Sequence, residues 1–240
     1  MLSQLILDKE NQILKMKILF KVTSRSRPEK LRETLENIKS FAESKDYMIC
    51  LTLDEDDKTV NNPDFRGLLL NTFQDRIHIF FAYSKTKVDA INRDVSTFQD
   101  WDILVNVSDD QRFTVQGFDE IIREKFLKYA PDLDGFLHFR DENHENPMAL
   151  ATMSIIGRKY FQRDGFIYDP RFISLWCDNY AQELARRRGK YFFFDQVIFT
   201  HLHPAYGKAE VDAQYKKTES YFKRDQAIYN RLMRNIDKVL

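Results

Sequence analysis

The sequence is poor in glycine and has no long apolar run. Only 7 of its 240 residues are glycine, and none lies between Thr23 and Arg27, where the first predicted strand meets a helix. The phosphate-binding loops of P-loop and dinucleotide-binding proteins depend on glycines at this position, so both classes are disfavoured. Because no apolar run approaches the ~20 residues that span a bilayer, no transmembrane segment is expected.

An excess of charge of one sign is also missing, since 37 basic residues balance 37 acidic ones. A general nucleic-acid-binding protein needs a basic surplus, so no nucleic-acid partner is expected. Cys50 and Cys177 are far apart and lie among apolar residues, which indicates buried free thiols. With no secretory signal in residues 1–16, this pattern predicts a cytoplasmic protein. Residues 1–16 are interpreted as an N-terminal extension, with peripheral attachment to a membrane as the alternative.

The first half of the chain alternates predicted strands with predicted helices. Strands are expected at residues 17–22, 47–53, 77–83 and 101–108, with helices in the intervals, the first opened by a Ser26–Glu29 capping box and the last covering 87–98. This repetition predicts a single α/β domain with a mostly parallel central sheet flanked by helices.

The second half is less regular. It is expected to contain a helix from Gly117, strands at 136–139, 148–156 and 191–199, and a helix at 178–188 that ends before Gly189. Residues 210–240 are charged and helical in pattern, so we expect a segment that packs on the domain. The same segment could pair with another chain, and an oligomer therefore stays open.

Acidic residues follow two of the predicted strands. Asp109 and Asp110 come directly after a buried strand, and ligands bind outside the carboxyl ends of such strands in open α/β sheets. Two adjacent carboxylates repel each other unless a cation lies beside them, and Mg²⁺ or Mn²⁺ prefers oxygen ligands. Asp54 and Asp56 follow the second strand, where a carboxylate can accept an N–H of a nucleobase. The alternative for each acid is a solvated strand end.

Two further groups are candidates for ligand contact. Thr23 and Arg27 lie at a strand-to-helix junction, where hydroxyls and helix N-terminal amides favour a phosphate or nucleotide. His201 and His203 follow a predicted strand in alternation, which places both imidazoles on the same side of the backbone and suggests a metal or phosphate contact. A structural histidine is the alternative for either one.

Together these segments resemble the family 2-like glycosyltransferases. The similar features are the opening strand and helix, the acidic loop after the second strand, a helix carrying an asparagine, Asp-x-Asp-like acids, an acidic acceptor-side segment and a late histidine. They correspond to residues 17–28 with Leu31 and Leu35, 53–57, 85–92, 107–110, 175–179 and 201–204. The resemblance therefore covers most of the chain.

The resemblance implies a GT-A fold with nucleotide-binding and acceptor halves within residues 17–209. It implies metal-dependent transfer of a sugar from a UDP- or GDP-linked donor to an acceptor glycan or other hydroxyl compound. Asp178 would be the base of an inverting reaction, and Mn²⁺ or Mg²⁺ would be held by Asp109, Asp110 and either His203 or His201. The donor would be bound by Thr23, Arg25, Arg27, Asp54, Asp56, Lys87, Asn92 and Trp176.

The chain departs from the family pattern at two places. Ser108 replaces the first acid of Asp-x-Asp, so the metal ligand is Asp110 alone or both acids, and Cys177 replaces the glutamate of the usual Glu-Asp pair before Asp178. A retaining outcome is therefore left open. The alternative functions are a nucleotidyltransferase of similar architecture, although it usually has a glycine-rich loop, and a non-catalytic nucleotide-sugar-binding module.

Overall fold

The structure is a computed structural model and describes residues 16–143, 146 and 150–239. The predicted N-terminal extension lies outside the described residues except for Met16, which packs against the core and accepts a hydrogen bond from Arg123. Parts of the predicted loop 141–147 and of the predicted strand 148–156 also lie outside the described residues. Within the described part of the chain, no helix is both long enough and apolar enough to cross a bilayer.

The first half forms a parallel sheet through helical crossovers. Strands β1 (Ile18–Ser24), β2 (Tyr47–Asp54), β3 (Ile77–Ala82) and β4 (Ile103–Ser108) alternate with helices α1 (Pro28–Phe41), α2 (Pro63–Phe73) and α3 (Lys87–Asn92). All pairs among these strands are parallel, and Thr23 is in register with both Thr52 and Ser108. The carboxyl ends of β1, β2 and β4 therefore lie at the same level of the sheet.

The second half extends the same sheet. Its elements are β5 (Gln111–Phe113), α4 (Phe118–Tyr129), β6 (Phe136–Arg140), β7 (Ile155–Gly157), α5 (Arg158–Asp164), α6 (Cys177–Arg187), β8 (Tyr191–Val197), β9 (Phe199–His201), α7 (Ala213–Glu219) and α8 (Phe222–Met233). The seven-stranded order is β3-β2-β1-β4-β7-β6-β8, with β7 antiparallel to both neighbours. Strands β5 and β9 pair separately and align Gln111 with His201. The predicted, mostly parallel α/β architecture is confirmed.

Apolar clusters cover both faces of the sheet. One face buries Phe20 and Leu51 under α1 and α4, and the other buries Leu19 and Leu104 under α3, α5 and α6. Both Cys50 and Cys177 are buried free thiols. Helix α8 contributes Leu232 to the second cluster, so the C-terminal segment shares the core of the domain.

Several predicted boundaries were wrong, each for a local reason. Helix α3 ends at Asn92 instead of continuing to residue 98, because Asp94 adopts a left-handed conformation with φ 72°. The Ser26 capping box does not form, since Ser26 has φ 58° and Arg27 is the N-cap. The Ser26 amide donates instead to Asp57 Oδ2, 2.6 Å away.

Two of the later predicted strands were also too long. The strand predicted at 148–156 is limited to β7 from Ile155 onward. Just before it, the Ser154 carbonyl still accepts the Asn106 N–H of β4, but the Ala151 N–H donates to Gln182 Oε1 at 2.6 Å and the Thr152 carbonyl accepts from the Gln111 side chain. Residues 191–199 divide between β8 at the sheet edge and β9 in the small sheet. This division brings His201 back beside Asp110.

Candidate active site

Two adjoining cavities lie outside the carboxyl ends of β1, β2 and β4. The larger, the donor cavity, has a volume of about 360 Å³, and the smaller, the transfer cavity, about 140 Å³. Both are lined by Thr23, Arg27, Lys87 and Asp110, so they form one continuous site. This position matches the strand edge at which open α/β sheets bind ligands.

Most of the predicted site residues line these cavities. Arg25, Asp54, Asp56 and Asp109 face the donor cavity only. Asp178, His201 and His203 face the transfer cavity only. The structure therefore divides the candidates between the two cavities, with Asp178 in the transfer cavity.

The carboxylate of Asp109 is held by neighbouring donors. Ser24 Oγ donates to its Oδ2 at 2.6 Å, and Arg27 Nη1 donates to its Oδ1 at 3.1 Å. Thr34 Oγ1 also donates to its backbone carbonyl at 2.9 Å. Burial raises the pKa of Asp109, and the charge of Arg27 acts against this shift. Both carboxylate oxygens are thus already engaged inside the protein.

Asp110 differs from its neighbour because it faces the transfer cavity. His201 Nε2 lies 3.3 Å from Asp110 Oδ1, an ion-pair distance, and His201 Nδ1 has no hydrogen-bond partner among the described residues. Burial acts to raise the pKa of Asp110, but His201 and Lys87 outweigh it and hold the pKa well below its usual range. Asp110 is therefore an anion that retains acceptor capacity beside a cavity.

His203 completes this side of the transfer cavity. Its ring packs edge-on against His201 at 5.0 Å and against Tyr215 at 5.3 Å. Burial and the neighbouring His201 lower the pKa of His203. A neutral imidazole next to a carboxylate is a suitable donor set for a divalent cation.

Asp178 lies in the first turn of α6 and faces the transfer cavity. Its Oδ1 accepts the Asn179 N–H at 2.9 Å. Burial raises the pKa of Asp178, while the Asn179 amide and the charge of Lys87 partly offset the rise. A carboxylate with a raised pKa is a stronger base than an ordinary aspartate, which suits proton abstraction.

The far end of the donor cavity is built from an arginine and two acids. Arg25 Nη1 donates to Asp54 Oδ2 and to Asp56 Oδ1, both at 2.7 Å, and Arg25 Nη2 donates to Asp56 Oδ2 at 2.8 Å. The Ser84 amide donates to Asp54 Oδ1 at 3.2 Å. Tyr83 lines the same end with 66% of its surface exposed.

Two predicted donor contacts lie elsewhere. Asn92 does not line either cavity, because its side chain bonds the backbone of Ile167 and Tyr168. Trp176 precedes α6 with φ 63° and packs its ring against Phe222 and Tyr229 of α8. Both residues hold neighbouring segments in place.

The sequence reasoning missed the part of the site that the C-terminal segment builds. Gln214, Lys217, Thr218 and Tyr221 line the donor cavity. Arg27 binds Asp212 through two hydrogen bonds, from Nε at 2.7 Å and from Nη2 at 2.8 Å, and so fixes the start of α7 beside the site. The only sequence signal was the charged helical pattern, which predicts a surface helix without indicating what it covers.

The residues around Asp110 fit a divalent cation in part. Among the described residues, no group of three or more His, Cys, Asp and Glu side chains is arranged to hold a metal by itself. Asp110 Oδ1, which His201 Nε2 approaches to 3.3 Å, and His201 Nδ1, which has no hydrogen-bond partner in the described part of the chain, nevertheless give the transfer cavity buried polar atoms of the right kind. Mg²⁺ is commonly bound through one or two carboxylates together with substrate phosphates, which is the arrangement available here.

No family model matches the chain, and no curated protein matches it. Among solved structures, the mannosyltransferase PcManGT of Pyrobaculum calidifontis, in complex with GDP-Man and Mn²⁺, matches with a TM-score of 0.63 and 12% identity over 77% of this chain and 56% of that one. S. aureus TarS 1-349 in complex with UDP matches with a TM-score of 0.57 and 9% identity over 77% and 60% of the two chains.

A third match is the 4-diphosphocytidyl-2C-methyl-D-erythritol synthase of Anaerococcus prevotii, with a TM-score of 0.52 and 13% identity over 89% of this chain and 99% of that one. The chain spans less than two thirds of the length of the first two proteins. At such low identity these likenesses establish the fold. The protein therefore has a GT-A-like fold.

Proposed function

We propose that the protein is a glycosyltransferase that moves a sugar from a nucleoside-diphosphate donor to an acceptor hydroxyl. The observation that carries the proposal is the adjoining pair of cavities, with Asp110 and Lys87 at their common boundary and Asp178 in the smaller one. The nucleotide would occupy the donor cavity, the transferred sugar would reach across the boundary, and the acceptor would enter beside Asp178.

The donor diphosphate would lie beside Asp110 and Lys87. In the described part of the chain the Lys87 ammonium has no ion pair, so it is available to a phosphate. Asp110, with His203 or His201, would hold Mn²⁺ or Mg²⁺, and Asp109 would support the site through Arg27 and Ser24. When bound, the cation would neutralise charge on the departing diphosphate.

Asp178 would remove the proton of the acceptor hydroxyl. Its Oδ1 already accepts the Asn179 N–H, which leaves Oδ2 as the proton acceptor. The acceptor oxygen would bond to the anomeric carbon as the carbon–oxygen bond to the diphosphate breaks, and the nucleoside diphosphate would leave with that electron pair. Attack from the face opposite the leaving group inverts the anomeric configuration. A base of this kind contributes ~10²–10⁴-fold to the rate.

The comparisons support this proposal at the level of the fold. One neighbour was solved with GDP-Man and Mn²⁺, and another with UDP. The acceptor would be a glycan or another hydroxyl compound, and no nucleic-acid partner is proposed. An oligomer remains compatible with the exposed C-terminal helices.

A nucleotidyltransferase is the second candidate, because the similar synthase is covered over 99% of its length. The two reactions release different products. A glycosyltransferase releases a nucleoside diphosphate from a nucleotide sugar, whereas a nucleotidyltransferase releases inorganic pyrophosphate from a nucleoside triphosphate. A non-catalytic binding module would release neither product, although the nucleotide would still bind.

The test is a panel of nucleotide sugars with an acceptor mixture, assayed for nucleoside diphosphate with Mn²⁺, with Mg²⁺ and with a chelator. We expect turnover that needs the cation and that Asp110→Ala abolishes. Asp75→Ala is the matched control, because Asp75 is exposed near the amino end of β3, at the opposite edge of the sheet. Unchanged turnover in folded Asp110→Ala would overturn the metal assignment.

A further inference from the structure

We propose that Arg25, Asp54 and Asp56 select guanine, so that the donor is a guanosine-diphosphate sugar. This inference rests on the proposed function in one respect, namely that a nucleotide occupies the donor cavity. The three side chains form the end of that cavity away from Asp178, where the base of a nucleotide would lie if its sugar points toward the transfer cavity.

The three side chains are linked to one another by hydrogen bonds. Arg25 bridges the two carboxylates with three hydrogen bonds of 2.7–2.8 Å, two of them to Asp56. Asp54 is also fixed from the main chain by the Ser84 amide at 3.2 Å, and its side chain is only 12% exposed. A base that enters this end of the cavity therefore meets a preformed set of donors and acceptors, with little ordering cost.

Most of the hydrogen-bonding sites that these three side chains leave unused are acceptors. A carboxylate has about four lone-pair sites and a guanidinium five N–H donors. Asp54 accepts from Arg25 and Ser84, and Asp56 accepts twice from Arg25, so each acid keeps about two sites. Arg25 keeps about two donors. The site thus favours a base edge with adjacent N–H donors next to a single acceptor.

Guanine is the common base with that edge. Its base-pairing edge has the O6 acceptor followed by the N1–H and N2–H donors, so each acid can accept one N–H group while Arg25 donates to O6. Uracil has a lone N–H between two carbonyl oxygens, and its oxygens would face carboxylates here. Cytosine and adenine each offer a lone amino group and would leave one of the two carboxylates without a partner.

Tyr83 provides a surface for the face of the base. It lines the donor cavity beside Ser84 and exposes 66% of its surface, more than the other exposed large apolar or aromatic side chains in the described part of the chain. Stacking on an aromatic ring is sequence-tolerant, since every base has a π-face. Tyr83 would therefore contribute affinity for any nucleotide, whereas the arginine and the two acids would contribute the selection.

The experiment measures the affinities of GDP, UDP, CDP and ADP for the whole protein by calorimetry in the same Mn²⁺ buffer. We expect GDP to bind at least about tenfold more tightly than UDP. Asp54→Asn and Asp56→Asn should weaken GDP binding and leave UDP binding nearly unchanged. The ratio of GDP affinity to UDP affinity should therefore decrease. Tyr83→Ala should weaken both nucleotides alike, and Asp75→Asn should change neither.

The outcomes separate the base assignment from the transfer reaction. Equal affinities for GDP and UDP, or acid variants that weaken every nucleotide equally, would overturn the selection of guanine and leave the glycosyltransferase proposal standing. Selective GDP binding with no turnover of any GDP-sugar would support the base assignment and count against transfer. If no nucleoside diphosphate binds, both proposals fail. Thermal unfolding of each variant shows whether a lost affinity reflects lost folding.

Discussion

The nucleotide side and the transfer side of the site differ in how their polar groups are satisfied. On the nucleotide side, Arg25 and Arg27 are paired with acids, and Asp109 has both oxygens engaged. On the transfer side, His201 Nδ1 lacks a hydrogen-bond partner among the described residues, and so does the hydroxyl of Ser174, which lines both cavities. The Ser84 hydroxyl at the donor cavity also lacks a partner among them, so the two sides differ in how their charged groups are paired. Unsatisfied buried polar atoms are costly, and those that line the site mark positions where a ligand can complete the structure.

This contrast predicts that the nucleotide side determines nucleotide affinity and the transfer side determines turnover. The nucleotide side is already organised before a ligand binds, and its substitutions should change nucleotide affinity. The transfer side contains the groups that would act on the sugar and the acceptor, and its substitutions should change turnover. The following predictions test this division, beginning with the largest expected effect.

Asp178→Asn should reduce kcat by ~10²–10⁴-fold while nucleotide affinity stays the same. The amide keeps the shape of the side chain but cannot accept the proton. In the wild type, kcat/KM should fall as the pH decreases through the pKa of Asp178, because only the anion acts as a base. Since burial raises that pKa, the acid limb should lie above the range of an ordinary aspartate.

The pH profile provides the control for this prediction. Residual activity of Asp178→Asn should lack the acid limb, whereas Asp75→Asn should retain both the rate and the limb. If the Asp178→Asn variant keeps the wild-type kcat, another group is the base. That result would favour a retaining reaction or a different position of the acceptor.

Asp225→Asn should reduce kcat by about tenfold without changing donor affinity. Asp225 is fully buried on α8 and accepts the backbone N–H groups of Ile173, Ser174 and Leu175 at 2.8–3.2 Å. These residues lead into α6, which carries Asp178. An amide there turns an N–H toward other N–H groups, so we expect the loop to shift and about 1–3 kcal/mol of stability to be lost.

A purely structural role for Asp225 would lower the melting temperature and leave the kinetics of the folded protein intact. Steady-state assays well below the melting temperature therefore distinguish the two cases. Asp237→Asn is the matched control on the same segment, since its carboxylate is 73% exposed and pairs with Arg187. Equal kcat values for the two variants would show that Asp225 does not position Asp178.

The sequence predicted the residues at the strand ends better than the part of the site that the C-terminal segment builds, for a physical reason. Parallel strands in a repeated strand-helix pattern end at one edge, so local periodicity was enough to bring Asp54 near Asp109. The C-terminal segment is brought to the site by contacts between distant parts of the chain. Arg27 binds Asp212 across 185 positions, and Asp225 binds residue 173 across 52.

The two donor contacts that lie elsewhere have the same origin. Asn92 was assigned to the donor through the family resemblance, yet its side-chain amide bonds the backbone of residues 167 and 168. Trp176 was assigned to the donor in the same way, although its ring packs against α8. The type and position of a residue show which contacts its side chain can make. Tertiary packing determines which of those contacts it does make.

Asp212→Asn should have the smallest effect, with at most about 1 kcal/mol of stability lost, because the Asp212–Arg27 pair is partly exposed. Asparagine retains the N-cap bond that Asp212 makes to the Tyr215 amide, so the variant tests the charge alone. Nucleotide affinity should fall modestly, since Arg27 would lose the partner that aligns it beside the donor cavity.

The stabilisation by the Asp212–Arg27 ion pair should depend on pH. The hydrogen bond from Arg27 lowers the pKa of Asp212 to about 2. An unfolded aspartate has a pKa of ~3.9, so the folded protein holds this carboxylate ionised more strongly than the unfolded chain does. The melting-temperature difference between wild type and Asp212→Asn should therefore be fully present above about pH 4 and shrink as the pH falls toward about 2. A difference that stays constant across this range would show that the ion pair does not stabilise the C-terminal segment.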